Sequence, residues 1–120
     1  MKLQAWSEEL TVCKIRDGKD APRDGLCFLS RTDEEISLVC ESRYAPRACL
    51  CREEGWRAFR IAGTLDFSLV GVLARITALL AEAGIGVFVV STFNPDYVLV
   101  QNERFSDALE TLKSAGYETE

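Results

Sequence analysis

The feature that most constrains the fold is an amphipathic helix followed at once by an apolar strand, within residues 64–100. Apolar residues recur there at steps of three and four, the period of one helical face: Leu69, Val72, Leu73, Ile76, Leu79, Leu80 and Ala83. Gly84 then stands where a left-handed residue ends a helix. The apolar run of residues 85–93 is typical of a strand inside a sheet covered by helices. We therefore predict a helix that packs on a central strand.

The flanking segments extend this unit on both sides. Residues 55–62 predict a strand before the helix, and Asn94-Pro95-Asp96 predicts a turn into a hairpin partner at residues 97–101. A second helix is expected at residues 103–115, ended by Gly116 and followed by a short strand. The order strand, helix, strand, strand, helix, strand is that of a ferredoxin-like unit, with two helices on one face of an antiparallel sheet.

The N-terminal half is predicted to be mostly strand, at residues 10–16, 26–30 and 36–41. Pro46 limits residues 42–50 to a single helical turn. The length of 120 residues suits one domain or two small lobes. We predict an α+β protein with lobes at residues 1–54 and 55–120.

Composition narrows the class of partner. Lysine and arginine total 14 against 19 acids, the net charge is −5, and no basic block occurs, so neither nucleic acid nor a membrane surface is an expected partner. Apolar runs are too short to span a bilayer, and the first ten residues lack the pattern of a secretory signal. The five cysteines are odd in number, which favours reduced core thiols in a cytoplasmic protein.

The chain lacks the residue patterns that common catalytic and cofactor sites need. The chain has no histidine, which removes Ser-His-Asp and Cys-His arrangements, and no second pair completes a metal site with Cys49 and Cys51. The Gly84-Ile85-Gly86 triplet joins a helix to a strand, the reverse of the dinucleotide fingerprint. We expect no enzyme, no metal and no cofactor. An enzyme that uses Asp66 or a reactive cysteine is the least favoured alternative.

The loop before the first long helix is the best candidate binding site. Free backbone N–H groups at the helix start, beside Ser68, can hold a carboxylate. Asp66 can pair with an ammonium or guanidinium group. Both residues are also common helix N-caps, so capping alone is an equal explanation of them.

Several short motifs together carry a family resemblance: Leu65-Asp66-Phe67-Ser68 with Gly71, Ala83-Gly84-Ile85, Phe88 to Ser91-Thr92, Asp96 to Val100, and Gly55-Trp56-Arg57. The chain resembles the small two-lobed ACT domain proteins, with specific motifs from Gly55 onward. Its N-terminal half is similar to a degenerate first lobe, in which the first helix is reduced to a loop around residues 21–25. Val89 and Val90 stand where many relatives carry an alanine-isoleucine pair.

This resemblance implies tandem ACT-like, ferredoxin-like βαββαβ lobes with a degenerate N-terminal lobe. It implies a non-catalytic regulatory or sensor module that binds a small ligand, an amino acid above all, at a lobe or subunit interface of a homodimer. The residues implied in ligand binding are Thr64, Leu65, Asp66, Phe67, Ser68, Gly71, Val90, Ser91 and Thr92. In this scheme residues 85–92 offer backbone edges, and Gly71 allows a neighbouring backbone to approach closely. The alternative is a protein-interaction or dimerisation module with no ligand.

Each of these residues also has an ordinary structural explanation. Gly71 can simply let the helix pack tightly on the sheet. Ser91 and Thr92 can satisfy local hydrogen bonds only. It is the combination of the motifs, in order, that favours the ACT family.

Overall fold

A computed structural model describes residues 1–62 and 71–120. The chain divides into two compact units, a C-terminal unit of Met1–Ser7 with Arg57–Glu120 and an N-terminal unit of Glu8–Trp56. The division between Trp56 and Arg57 lies two residues from the predicted boundary. The first seven residues, predicted as part of the N-terminal lobe, instead belong to the C-terminal unit, because Leu3 is fully buried in that unit's core.

The described residues contain eight strands and two α-helices. The strands are β1 Lys2–Ala5, β2 Leu10–Ile15, β3 Cys27–Arg31, β4 Ile36–Glu41, β5 Cys51–Ile61, β6 Phe88–Ser91, β7 Asp96–Gln101 and β8 Glu118–Thr119. The helices are α1 Val72–Glu82 and α2 Phe105–Ser114. Short 3-10 turns lie at Gly18–Asp20, Ser42–Tyr44 and Asn102–Arg104.

The sheet of the C-terminal unit has the order β6-β7-β5-β1-β8. Strand β1 runs antiparallel to β5, with Leu3 opposite Ile61, and parallel to β8. The βαββαβ order is confirmed, but β1 is inserted between the first and last strands of that unit. The sheet is therefore mixed, where a purely antiparallel sheet was predicted, because the β1–β8 pair is parallel.

The core of the C-terminal unit is built from large apolar side chains of the sheet and both helices. Its buried members are Leu3, Phe59, Ile61, Ile76, Leu80, Ile85, Val98, Val100, Phe105, Ala108 and Leu112. Phe105, Ala108 and Leu112 form the buried face of the second helix, with Leu109 partly buried beside them. Two helices thus cover one face of the sheet through the apolar stripe that their sequence period predicts.

The bounds of the first long helix and of the strand after it differ from the sequence-based expectation. Helix α1 begins at Val72, with Gly71 as its N-cap. The predicted N-caps, Asp66 and Ser68, lie outside the described residues. The strand predicted at residues 85–93 is confined to β6, Phe88–Ser91, because Ile85 turns into the core directly after the helix. The predicted left-handed glycine is confirmed, since Gly84 has a φ of +73°.

The N-terminal unit is a four-stranded antiparallel arrangement in the order β3-β4-β2-β5. Residues 8–56, all of them described, contain two 3-10 turns and no α-helix. The predicted single turn within residues 42–50 is confirmed as Ser42–Tyr44. One apolar cluster of this unit consists of Cys13, Ile15, Leu38 and Cys40, with Cys27 and Cys49 packed against it, and Leu10, Val39 and Trp56 are buried as well. All five cysteines are free thiols.

Across residues 1–62 and 71–120, neither helix is long and apolar enough to cross a membrane. In the same ranges, no group of three or more cysteine, aspartate or glutamate side chains is arranged to hold a metal ion.

Candidate functional site

One end of the C-terminal sheet gathers the ends of three strands. The guanidinium of Arg60, near the end of β5, donates to the Tyr97 hydroxyl at 3.2 Å, and Tyr97 is near the start of β7. In the β6–β7 pair Val90 lies opposite Tyr97 and Ser91 opposite Asp96. The end of β5, the end of β6 and the start of β7 therefore lie together at one end of the sheet.

Helix α1 begins at this same end. At its other terminus, Arg104 donates to the carbonyl oxygens of Gly84 at 3.3 Å and Ala83 at 3.4 Å. Arg104 follows the end of β7, so the end of α1 lies beside the far end of that strand. The 11 residues of α1 span about 16 Å and the 6 residues of β7 about 20 Å. The start of α1 consequently lies near the start of β7.

Among the described residues, no side chain caps the start of α1, and its first turn contains no acidic residue. The first intrahelical bond runs from the Arg75 N–H to the Gly71 carbonyl, at 3.0 Å. The preceding N–H groups, those of Val72, Leu73 and Ala74, have no partner within the helix. These donors and the positive end of the helix dipole are suited to a carboxylate.

Gly71 has a different reason to be glycine from the one predicted. Its φ is +83°, a left-handed value that side chains rarely adopt, and it is exposed. Among the described residues, no heavy atom outside its chain neighbours lies within 4 Å of a Cβ built there. Glycine is required at this position by the left-handed backbone turn into the helix. It is not required by the close approach of any other described residue.

Strand β6 presents an open edge at this end. It pairs with β7, and its other edge has no strand partner within the part of the chain that is described. Because Val89 packs into the core under the helices, alternation turns Val90 to the opposite face and Ser91 to the helix side. Val90 is half-buried and Ser91 is exposed. The Thr92 hydroxyl donates to the Pro95 carbonyl at 2.6 Å, so it closes the turn into β7.

Four of the predicted site residues, Gly71, Val90, Ser91 and Thr92, thus meet at this end of the C-terminal unit. The other five, Thr64, Leu65, Asp66, Phe67 and Ser68, lie outside the described residues, in the segment that joins β5 to α1.

The sequence analysis did not include Arg60 in the site. Its Nε donates to Gln4 Oε1 at 2.8 Å, one terminal nitrogen donates to Tyr97, and the guanidinium lies 5.5 Å from the centre of the Trp6 ring. Among the described residues no carboxylate forms an ion pair with it. Neutral partners therefore orient a half-buried positive charge on the face away from the helices. Its place in the β5 alternation indicates its face, but Gln4 belongs to a strand that was not predicted.

The fold and this arrangement define a two-unit, ferredoxin-like protein in which the N–H groups of a helix start lie at one end of the sheet. The sequence model of the ACT domain family matches residues 52–114, more than half of the chain. The chain therefore belongs to the ACT domain family.

Its relatives include regulatory proteins. It is 39% identical over 61 residues to the human cytosolic arginine sensor for mTORC1 subunit 1, a match that covers 50% of this chain and 18% of that protein. The same values hold for the cattle protein. The matched segment thus spans 18% of the length of these curated relatives.

Solved structures share the fold. A crystal structure of a protein from Agrobacterium tumefaciens matches with a TM-score of 0.88 at 28% identity, over 99% of this chain and 91% of that one. The regulatory subunit of aspartate kinase from Thermus thermophilus matches with a TM-score of 0.66 at 10% identity, over 95% of this chain and 96% of that one. At this low identity the second likeness concerns the fold alone.

Proposed function

We propose that this chain is a non-catalytic regulatory module that binds a free amino acid at the open end of the C-terminal unit. The observation that carries the proposal is the start of α1, which no described side chain caps and whose first turn contains no acid, beside the edge of β6 that has no described strand partner. The N–H groups at a helix start have no partner within the helix, and together with the helix dipole they favour an anionic ligand group.

The proposal assigns complementary roles to the two ends of a zwitterion. The ligand carboxylate accepts from the N–H groups at the start of α1, beside Ser68. The Asp66 carboxylate pairs with the ligand ammonium or with a cationic side chain. Backbone groups of β6 from Val90 to Thr92 hydrogen-bond to the remaining polar atoms. Thr64, Leu65 and Phe67 complete the enclosure of the ligand.

The relatives support an amino acid as the ligand class. The curated relatives are described as an arginine sensor, and the structural relatives include regulatory parts of aspartate kinase, an enzyme used in amino acid production. A regulatory role without catalysis agrees with the lack of histidine in the chain. A cytoplasmic location and a homodimer are parts of the same proposal.

A thermal-shift screen of the purified protein against the twenty amino acids tests this function. A ligand at about 100 times its dissociation constant adds about 2.7 kcal/mol to the free energy of unfolding. We expect one amino acid or a chemically related set to raise the melting temperature, and isothermal titration to give its affinity. A screen with no response to any amino acid would reject the proposal.

Variants in the segment that precedes α1 test where the ligand binds. Asp66→Asn and Ser68→Ala should each weaken binding of the responding amino acid at least tenfold. Glu82→Gln is the matched control, because Glu82 is an exposed acid at the far end of the same helix. Full binding by the Asp66→Asn, Ser68→Ala double variant would show that the ligand lies elsewhere.

The open edge of β6 supports a second candidate function, a dimerisation module without a ligand. An unpaired edge strand is a template for pairing with another strand, and Phe93, just beyond β6, is 76% exposed. Light scattering of the protein without added ligand distinguishes the two. A stable dimer that dissociates on Val90→Lys and responds to no amino acid would favour this second function.

A further inference from the structure

The N-terminal unit contains a cavity of about 560 Å³ that the proposed amino-acid site does not use. This volume falls in the range of about 300–1,000 Å³ that small-molecule sites occupy. Its lining includes three cations, one acid and two aliphatic side chains: Arg16, Lys19, Arg31, Asp17, Leu29 and Ile36.

The sheet and one short turn bring these residues together. In β4, Ile36 lies opposite Arg31 of β3 on one side and opposite Ile15 of β2 on the other. Arg16 directly follows Ile15, so both arginines lie at the same end of the three strands. The 3-10 turn at Gly18–Asp20 covers this end, and Leu29 Cδ2 lies 3.8 Å from the Cβ position of Gly18. The convergence follows from strand register and a packed turn.

The charges in this cavity are unbalanced. Within residues 1–62 and 71–120, Arg16, Lys19 and Arg31 form no ion pair and no side-chain hydrogen bond. The carboxylate of Asp17 accepts from the backbone N–H of Lys19 at 2.9 Å, which directs it toward the turn. Three positive charges and one negative charge leave an excess of two positive charges. The excess belongs to the lining itself, since the acids Asp33, Glu34 and Glu35 of the connection between β3 and β4 are not part of it.

Guanidinium groups recognise phosphate oxygens in pairs, and a lysine adds a point charge to the same group. Leu29, which is 48% exposed, and half-buried Ile36 offer an apolar wall beside the cations. We propose that this cavity binds a small organic phosphate, with the phosphate group on Arg16, Lys19 and Arg31 and the apolar body of the molecule on Leu29 and Ile36. The N-terminal unit is then a second ligand site, independent of the amino-acid site.

Titration of the full chain with adenosine monophosphate, followed by amide shifts in NMR spectra, tests the proposal. Adenosine, inorganic phosphate and citrate are the comparison probes. We expect saturable shifts at residues 16–19 and 29–36 with adenosine monophosphate, at least tenfold weaker binding of adenosine and of citrate, and weakening of the phosphate compound at higher salt. Equal binding of adenosine or of citrate, or no saturation with adenosine monophosphate, would overturn it.

Variants separate the cavity from a general effect of charge. Arg16→Gln and Arg31→Gln remove exposed cations of the lining, and each should weaken adenosine monophosphate binding at least fivefold. Lys19→Gln is a third variant of the same kind. Arg23→Gln is the matched control, since Arg23 is an exposed arginine of the same unit outside the cavity lining. Equal losses in the control and in the cavity variants would overturn the assignment. Failure of the amino-acid screen leaves this test unaffected.

Discussion

The two units stabilise their sheets by different means. In the C-terminal unit, α1 and α2 cover the sheet with large side chains such as Phe59, Leu80 and Leu112. In the N-terminal unit, described throughout, one apolar cluster consists of two thiols and two aliphatic side chains, Leu10, Val39 and Trp56 are buried besides, and the unit contains no α-helix. In the N-terminal unit, loops and polar contacts therefore take the place of helices in stabilising the sheet.

Glu41 is the main polar contact of this kind. It is 2% exposed, and its Oε2 accepts from the Leu26 N–H at 2.7 Å. Its Oε1 accepts from Nε of Arg43 at 3.1 Å and from a terminal nitrogen of Arg43 at 2.9 Å. The carboxylate thus joins the end of β4 to the loop before β3. The contrast shows that one fold family can fix a sheet by apolar burial or by a buried charge with directed partners.

The largest effect is expected in the C-terminal core. Phe59→Ala should lower the free energy of unfolding by about 3–5 kcal/mol, because it removes a fully buried ring and leaves a cavity. Cys40→Ala, in the N-terminal core, should cost about 1 kcal/mol, because the group removed is about the size of a methylene. Urea unfolding measures the free energy of unfolding of each variant, and hydrogen exchange assigns the change to one unit. Phe93→Ala is the exposed control, and an equal cost at Cys40 and Phe59 would contradict the comparison.

Glu41→Gln should destabilise the N-terminal unit by about 2 kcal/mol, because hydrogen bonds to a buried charged group contribute about 1.5–3 kcal/mol each and the amide replaces one acceptor with a donor. The Arg43 pair adds little, since Arg43 is 59% exposed. Hydrogen exchange at Leu26 and along β3 should speed up, with the C-terminal helices unchanged. Glu54→Gln, at an exposed pair with Arg52, is the control and should be silent.

Gly25→Ala and Gly84→Ala form a matched pair across the two units. Both glycines have positive φ, +77° and +73°, and a side chain there costs about 1–2 kcal/mol. A Cβ at Gly25 would also lie 2.8 Å from Cδ of Glu41, whereas a Cβ at Gly84 meets nothing described within 4 Å. We expect the Gly25 variant to lower the melting temperature more than the Gly84 variant. The reverse order would show that Glu41 does not hold its loop rigidly.

An effect that is absent at neutral pH concerns the thiols of the N-terminal core. Burial, with a thiol hydrogen bond to Cys49, raises the pKa of Cys13 from 9.0 to about 12, and burial raises the pKa of Cys40 to about 11. The unfolded thiols ionise near pH 9 and the folded ones do not. The stabilisation is therefore complete below pH 9 and declines by about 1.4 kcal/mol per pH unit and thiol toward pH 11 to 12.

Thiol labelling provides the matching measurement at neutral pH. Exposed Cys51 should react with a disulfide reagent in the native protein, whereas Cys13 and Cys40 should react only as the N-terminal unit opens. A Cys13→Ala, Cys40→Ala variant should lose the decline in stability above pH 9. A decline of the same size in that variant would assign it to other groups.

The sequence predicted the parts of the fold that depend on period. The stripe of α1 from Val72 to Leu80 and the glycine stop at Gly84 follow from spacing alone and agree with the structure. Ala83, predicted on the same stripe, is exposed just beyond the helix. Strand β1 was missed because Lys2–Ala5 has a single fully buried residue, Leu3, and a strand this short gives no clear alternation. The buried role of Glu41 was also invisible, because its partners lie fifteen residues back along the chain and in a 3-10 turn.

The candidate site was predictable in part. The family resemblance named Gly71 and residues 90–92 as site residues, and the structure places them at one end of the C-terminal unit. Arg60 was not assigned to the site because its orientation depends on Gln4 and Tyr97, which approach it only through the insertion of β1 and the register of β7.

The pairing of β1 with β5 makes the topology of the chain simple in one respect. Ala5 lies opposite Phe59, and the Trp6 N–H donates to the Ala58 carbonyl at 2.8 Å, so the two strands approach each other as in a β-hairpin. All of Glu8–Trp56 occupies the place of that hairpin's turn. An Asn-Gly link from Ser7 to Arg57 would close the hairpin with an ordinary two-residue turn. The N-terminal unit is in this sense an insertion between Ser7 and Arg57, and its two ends lie close together because β1 pairs with β5.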